Sequence, residues 1–370
     1  MGASRRSSMG NGSRIGLSDG AGGELMQRML KELLLPMIRR SENVIDPLGL
    51  PPELLDDSAS VGETAFTIDG HTVWPLEFPG GDIGSLSVYG TVNDLWVVGA
   101  RPTALALSMV LEEGLERALL ERISRSIGDA SVKADVRVVT GDTKVVERGG
   151  VKGMVVTTAG IGDRHRMLGR CIERARELRV ERGLEGPSST WLRDDQVRPG
   201  DHILLTGSVG DHGISLLSFR EGYGFETELR SDLANMGPLM DAAIGVGGLV
   251  SAKDLTRGGL ANGLNEWAQK SGFGIDVSED EIPLKDAVRS ACDMLGLDPF
   301  EIGNEGKIII GVAPGAEEEV LKAVRSTPEG KDASLIGRVV DRKGKVVLRT
   351  GVGGKRIMDP PYGDPVPRIC

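Results

Sequence analysis

Carboxylates beside glycine are the residues of this chain whose types and spacing promise chemistry. Asp94 stands apart: from Ile83 to Ala100 it is the one charged residue, set between Asn93 and the run Leu95-Trp96-Val97-Val98. A carboxylate on so apolar a helix wants a cation or several N–H donors. It is either a Mg2+ ligand or the solvent-facing residue of an otherwise buried helix. Asp69 ends one strand-like run, and Asp142 follows another in Thr140-Gly141-Asp142-Thr143-Lys144. Asp254 opens the turn Asp254-Leu255-Thr256-Arg257-Gly258-Gly259. Magnesium at a nucleotide is held by a few carboxylates together with phosphate oxygens and water. Brought together, these acids would repel one another unless a cation joined them. The set therefore fits Mg-ATP, with Lys144 and Arg257 as phosphate clamps. Asp-Gly pairs also make ordinary turns, so only their joint occurrence after separate strands favours the site.

Glu305, in Asn304-Glu305-Gly306-Lys307 before an apolar strand, is a candidate base or hydroxyl acceptor, or a turn acid balanced by Lys307. Asp211-His212-Gly213 reads as a capped helix start rather than a site histidine. Ser18-Asp19-Gly20-Ala21-Gly22-Gly23 opens a helical run from Glu24 to about Ile38. Such a loop offers free N–H groups to an anion, or is a plain flexible start. Cys370 follows the proline-rich stretch Asp359 to Pro367, whose composition favours extended polyproline II. That arm reaches about 35 Å at ~3.1 Å per residue. A thiol so mounted can visit more than one place, and its thiolate is nucleophilic; the alternative is an incidental cysteine at a frayed end.

These residues need elements to hold them. The pattern predicts a strand from Thr64 to Asp69 with the run continuing through His71 to Phe78, a helix over 82–98, strands at 103–110, 136–140 and 151–161, and a helix near 115–134. Together they make a mixed α+β domain over 19–162, after a disordered extension over 1–18. Arg164 to Arg182 holds seven arginines with Glu173, Glu177 and Glu181. Residues 163–200 read as a solvated helix and loop, an insertion between domains. A second domain over 201–350 starts with strand His202–Thr206. It continues with helices after Gly213, at 232–246, after Gly259, at 284–296 and at 316–326. Strands at 307–313, 334–340 and 345–349 complete it, before a tail over 351–370.

Composition narrows the rest. Forty-four basic against 54 acidic residues give a net charge of -10, against duplex nucleic acid or an anionic membrane as partner. No apolar run reaches the 18 residues of a bilayer span, and the arginine-bearing start lacks the apolar stretch of a secretory signal. Cys171, Cys292 and Cys370 show no CxxC spacing. They form neither a disulfide framework nor a zinc site, and they suit a reducing, cytoplasmic setting. Glycine, at 53 of 370 residues, is about twice the usual ~7% and clusters beside strands, as in backbone-lined ligand sites.

From Ser18 to Cys370 the chain resembles the HypE family of hydrogenase-maturation proteins, in the superfamily of AIR synthetase and selenophosphate synthetase. The resemblance is carried by Pro79 to Gly84, Gly90 to Asp94, Leu111 to Leu115, Val139 to Val146, Gly210 to Gly213, Asp254 to Gly259, Asn304 to Lys307, and Pro367-Arg368-Ile369-Cys370. It implies a two-domain α/β (α+β) fold like that of AIR synthetase, with first-domain strands pairing across a homodimer into a shared barrel. It implies ATP and Mg2+, with Asp69, Asp94, Asp142 and Asp254 about the metal. Thr143, Arg257, Gly22 and Gly23 would lie at the nucleotide. It implies that the carbamoyltransferase HypF loads Cys370. ATP then drives dehydration of the S-carboxamide to a thiocyanate, with Lys144 and Glu305 beside it and Glu305 as proton acceptor. Cyanide then passes to iron on a HypC–HypD complex. The chain departs from the family at Asp19, where members often carry His, and at Ile68-Asp69-Gly70-His71, which is not the usual Thr-Asp-Ser form. Two other readings remain at this point: a superfamily kinase or cyclo-ligase that needs no Cys370, and a carrier that needs Cys370 but turns over no ATP.

Overall fold

A computed structural model of the chain describes residues 15–20, 23–38, 48–222, 229–363, 365–366 and 369–370. The extension expected to be disordered lies outside these through residue 14, as does Gly22. Helices α1 (Gly23–Met29) and α2 (Leu35–Ile38) are joined by a π-helical turn over Leu30–Leu34. The first domain then runs β1 (Ala59–Val61), β2 (Thr64–His71), β3 (Glu77–Phe78), β4 (Gly81–Asp82), α3 (Ile83–Val97), β5 (Ala100–Glu112), α4 (Arg117–Lys133), β6 (Arg137–Val146) and β7 (Met154–Arg164). Its main sheet has the order β1-β2-β7-β5-β6. The β5–β6 pair is parallel and the others are antiparallel.

Helix α3 is the element the site depends on. Asp82 caps it: its Oδ1 accepts the Ser85 N–H at 2.8 Å, while the Ser85 hydroxyl oxygen accepts the Asp82 N–H at 3.1 Å. That is a reciprocal capping box. Its residues are buried almost all round, as expected of a helix with no polar face. It touches β2, β5 and β7 on one side and elements of the second domain on the other. Asp94 is thereby carried to the junction between domains.

The second domain follows α5 (Leu168–Val180) and comprises β8 (His202–Leu205), α6 (Asp211–Glu221), α7 (Gly237–Val246), β9 (Leu249–Asp254), α8 (Gly259–Ser271), β10 (Phe273–Ser278), α9 (Asp286–Leu295), β11 (Ile308–Val312), α10 (Glu317–Arg325), β12 (Ser334–Lys343), β13 (Val346–Arg349) and β14 (Lys355–Ile357). Its sheet has the order β14-β13-β10-β12-β8-β11-β9. The buried strands β8 and β11 are almost wholly apolar, as two-sided burial demands, while the buried β9 also carries Ser251, Lys253 and Asp254. Among the described residues no helix is long and apolar enough to cross a membrane.

Three expectations need correction. The helix expected from 232 begins at Gly237, because Pro238 fits a first helical turn and not a later one. Residues 229–236 stay irregular and spend their polar groups on contacts elsewhere. The arginine-rich helix is not a solvated strut: α5 buries Leu168, Cys171, Ile172, Ala175 and Arg179, an amphipathic stripe at helical spacing. Arg179 is fully buried and pairs with Asp201 through Nε to Oδ1 at 3.0 Å. Lastly, β6 runs on to Val146, so Asp142, Thr143 and Lys144 lie within an edge strand rather than after it. Its residues are exposed almost throughout.

Candidate active site

A cleft of about 250 Å³ opens between the domains. Asp94 enters it from α3, Thr67 and Asp69 from β2, and Asp254 from the end of β9. Arg257 comes from the turn that follows, Asn262 and Glu266 from α8, and Asp56 and Asp57 from the irregular segment before β1. The turn is glycine-dependent. Gly258 and Gly259 have φ of +79° and +57°, and a Cβ on Gly259 would stand 2.4 Å from the Ile302 carbonyl oxygen. Only glycine turns the chain from β9 into α8 there at no steric cost.

The carboxylates crowd one another. Burial raises the Asp94 carboxyl well above its ordinary range, and Asp69, Asp254 and Asp57 push it further. Asp254 is raised likewise, by burial and then by Asp57, against the pull of Lys253. Burial and Asp194 take Asp56 up to about 7, while burial takes Asp57 up to about 6 against the pull of Lys253. The Thr67 hydroxyl donates to Asp94 Oδ2 at 2.9 Å, and Asp56 Oδ2 is buried without a hydrogen-bond partner. Two buried lysines hold the rear wall. Lys253 Nζ lies 2.6 Å from Asp57 Oδ1 and 3.1 Å from Glu266 Oε2. Lys270 Nζ lies 3.3 Å from Asp56 Oδ1 and 2.5 Å from Asp194 Oδ2. Burial would raise Asp194, but the two lysines outweigh it and hold it at about 2. At the front of the cleft Asp69 and Asp254 act on Asp94, and Asp69 acts on Asp254, a mutual repulsion that a bound cation would relieve.

That donor set fits a divalent cation. Among the described residues no three acids converge closely enough to chelate a bare ion. Mg2+ would be held there by one or two carboxylates, with water and ligand phosphate completing the shell.

Behind Arg257 sits the last residue of the sequence. The Thr72 N–H and hydroxyl donate to the Cys370 carbonyl oxygen at 3.0 and 3.2 Å. Ile369 and Val366 are buried in an apolar cluster that both domains share, with Ile83 and Val156 from the first and Ile214, Val288 and Ile302 from the second. Negative charge at Cys370 is the largest influence on Arg257, and Asp69 and Glu305 add to it. Arg257 therefore faces both the acidic cleft and the cysteine. Glu305 is buried, with Oε1 unpartnered. Burial raises its pKa well above the ordinary range, Asp254, Asp232 and Asp69 raise it further, and Arg257 opposes them. Its backbone N–H donates to Asp232 Oδ1 at 3.0 Å. An unpaired carboxylate oxygen of high proton affinity, sharing Arg257 with the cysteine-bearing tail, suits proton transfer.

The structure thus brings together Asp69, Asp94, Asp254, Arg257, Glu305 and Cys370. Gly23 joins them: it lines the cleft, and a Cβ on it would stand 2.2 Å from the Pro361 carbonyl oxygen. Gly22 lies outside the described residues. Asp142, Thr143 and Lys144 are not in the cleft of their own chain. They are exposed on β6, where Lys144 Nζ pairs with Asp142 Oδ2 at 2.7 Å. Sequence reasoning missed Asp56, Asp57, Lys253 and Glu266. A lysine inside the apolar strand Leu249–Asp254 was a usable signal; the Asp56-Asp57 pair, in a segment without periodicity, carried little.

Residues 55–163 match the family model described as AIR synthase related protein, N-terminal domain, and residues 198–349 match AIR synthase related protein, C-terminal domain. The chain is 41% identical over 366 residues to the carbamoyl dehydratase HypE of Azotobacter vinelandii, covering 97% of this chain and 98% of that relative. It is similar to a solved structure of hydrogenase maturation protein HypE in complex with ATP, with a TM-score of 0.75 at 37% identity over 96% of this chain and 99% of the other. It is also similar to HypE in a HypE–HypF complex, with a TM-score of 0.76 at 37% identity over 84% of this chain and 94% of the other.

Proposed function

The chain belongs to the HypE family of AIR-synthase-related proteins, and on that footing we propose that it is an ATP-dependent carbamoyl dehydratase of hydrogenase maturation. One observation carries the reading for this chain. Cys370 is seated by Thr72, and it and Glu305 both act on Arg257, which lines an acidic cleft suited to a metal-bound nucleotide.

The reaction converts Cys370–S–C(O)NH2 to Cys370–S–C≡N. The carboxamide oxygen takes the γ-phosphoryl group of ATP. Both N–H protons are then lost, the C–O bond breaks, and the oxygen departs with phosphate. Arg257 offsets charge on the transferring phosphoryl group. Glu305 Oε1, free of other partners, takes an N–H proton. Thr72 and the buried Ile369 hold the thiol end in place, and the enclosed site limits water. When bound, Mg2+ would neutralise phosphate charge, held by Asp94 and Asp254 with Asp57 and Asp69 nearby.

Asp142, Thr143 and Lys144 enter this scheme from a second copy. An edge strand exposed on both faces, bearing Val138, Val139 and Val145, is a template for pairing. We propose that β6 pairs across a homodimer, closes a barrel, and delivers Lys144 and Asp142 to the partner's cleft. HypF as the loading enzyme, HypC–HypD as the acceptor of cyanide, and a cytoplasmic setting complete the reading. The test is Glu305→Gln. It should accept the carbamoyl group on Cys370 normally and form thiocyanate at least a hundredfold more slowly. Wild-type thiocyanate formation would remove Glu305 from the chemistry.

A further inference from the structure

Residues 229–236 do more than connect α6 to α7. The Ser231 N–H donates to the Pro79 carbonyl oxygen at 2.8 Å, which ties the segment to the first domain. The Ser231 hydroxyl oxygen accepts the Leu233 N–H at 3.1 Å and lies 2.7 Å from His212 Nδ1. On the far side of the ring, His212 Nε2 lies 2.8 Å from the carbonyl oxygen of Ile369. The ring is fully buried, with Phe78 edge-on at 5.5 Å.

Hydrogen-bond bookkeeping fixes the protons. A backbone N–H can only donate and a backbone carbonyl can only accept. With Leu233 donating to its oxygen, the Ser231 hydroxyl is free to give its own hydrogen to His212 Nδ1. The Ile369 carbonyl requires a donor, so Nε2 must carry the ring proton. Burial lowers the His212 pKa, against the opposing influence of Asp232 and the Ile369 carbonyl. The ring is therefore neutral and has one proton to place. We infer that His212 is a positioning residue that clamps the Cys370 segment in its docked place through Nε2–H to Ile369, and that Ser231 sets the tautomer that makes the clamp work. The inference concerns docking of the tail; only its consequence for catalysis rests on the proposed function.

Docking has a direct reporter, because the Thr72 N–H is bonded to the Cys370 carbonyl oxygen and exchanges with solvent when the tail leaves. Hydrogen–deuterium exchange is followed by mass spectrometry on the full chain without nucleotide, in peptides covering Thr72 and residues 365–370. Peptides from β11 serve as the core control. His212→Leu leaves the Ile369 carbonyl without its donor and should speed exchange in both peptides roughly tenfold, with β11 unchanged. His212→Gln places an amide N–H where Nε2 stood and should restore most of the protection. Ser231→Ala, which leaves the ring in place but frees its proton, should speed exchange about threefold. Wild-type exchange in His212→Leu, or Gln protecting no better than Leu, overturns the clamp. If His212→Leu does not fold, Ser231→Ala decides: wild-type exchange there overturns the role of Ser231 and with it the argument for the tautomer. Because no carbamoyl transfer or ATP turnover is involved, failure here is distinct from failure of the dehydratase reading.

Discussion

Asp56→Asn should make the ligand-free protein more stable and its nucleotide site worse. The Asp56 side chain is 3% exposed, with Lys270 Nζ at 3.3 Å and its second oxygen unpartnered. Burial first, and Asp194 second, carry its pKa from 3.8 to about 7, with Lys270 and Lys253 opposing. At 1.36 kcal/mol per tenfold change in proton affinity, holding that carboxylate ionised at pH 8 costs up to about 4 kcal/mol. Because Asp57 and Asp194 share the same two lysines, about 2–4 kcal/mol is the expected gain from a neutral side chain of the same shape. The sign follows from linkage. A group whose folded pKa is raised favours the folded state fully below its unfolded pKa near 4, and loses that contribution as pH rises through about 7. Wild type therefore bears the cost at pH 8 and not at pH 4, where aspartic acid and asparagine are nearly equivalent. Urea denaturation in EDTA should place Asp56→Asn above wild type at pH 8, with the gap closing towards pH 4. Mg-ATP should stabilise the variant less than wild type. A variant less stable at pH 8 would refute the reasoning, since it would mean that the lysine wall fully compensates Asp56 and no charge is kept in reserve for a cation.

Arg179→Met strands the buried Asp201 carboxylate and should cost about 3–5 kcal/mol in urea denaturation, with Arg179→Met/Asp201→Leu recovering part of it. At pH 8 iodoacetamide should label Cys370 and leave Cys171 and Cys292 unmodified in the native chain. Both are buried, which pushes each thiol up to about 11, and tandem mass spectrometry of the digest reads the sites. Mixing Lys144→Ala with Glu305→Gln protomers should recover about a quarter of wild-type turnover, because in the proposed homodimer one site of each mixed pair then has both residues intact. No recovery would place Lys144 outside the partner's site.

Much of the site was legible where local chemistry stood out from its surroundings. Asp94 was visible as the sole charge on an apolar helix, and the structure puts it at the domain junction. The Asp254 to Gly259 turn was visible because a strand-to-helix reversal so tight demands glycine. What escaped notice depended on distant partners. Lys253 and Lys270 make sense only beside Asp57, Asp194 and Glu266, which come from three separate segments. His212 looked like part of a helix start because the carbonyl it meets lies 157 residues away. Arg179 was misread because charge density in its helix masked an apolar stripe of ordinary spacing, and Pro238 was overlooked as the marker that starts α7. Asp142 and Lys144 were placed after a strand that in fact runs through them to Val146, because Gly141 read as its end.

The most direct test of the central claim is the intact mass of the chain after carbamoylation by HypF, before and after Mg-ATP, with Cys370→Ala alongside. The account predicts a carbamoyl adduct on wild type only, and the loss of one water from it when Mg-ATP is added. An adduct that keeps its mass in the presence of Mg-ATP would contradict it and leave a passive carrier. Turnover of ATP on another substrate without any Cys370-dependent adduct would contradict it from the other side.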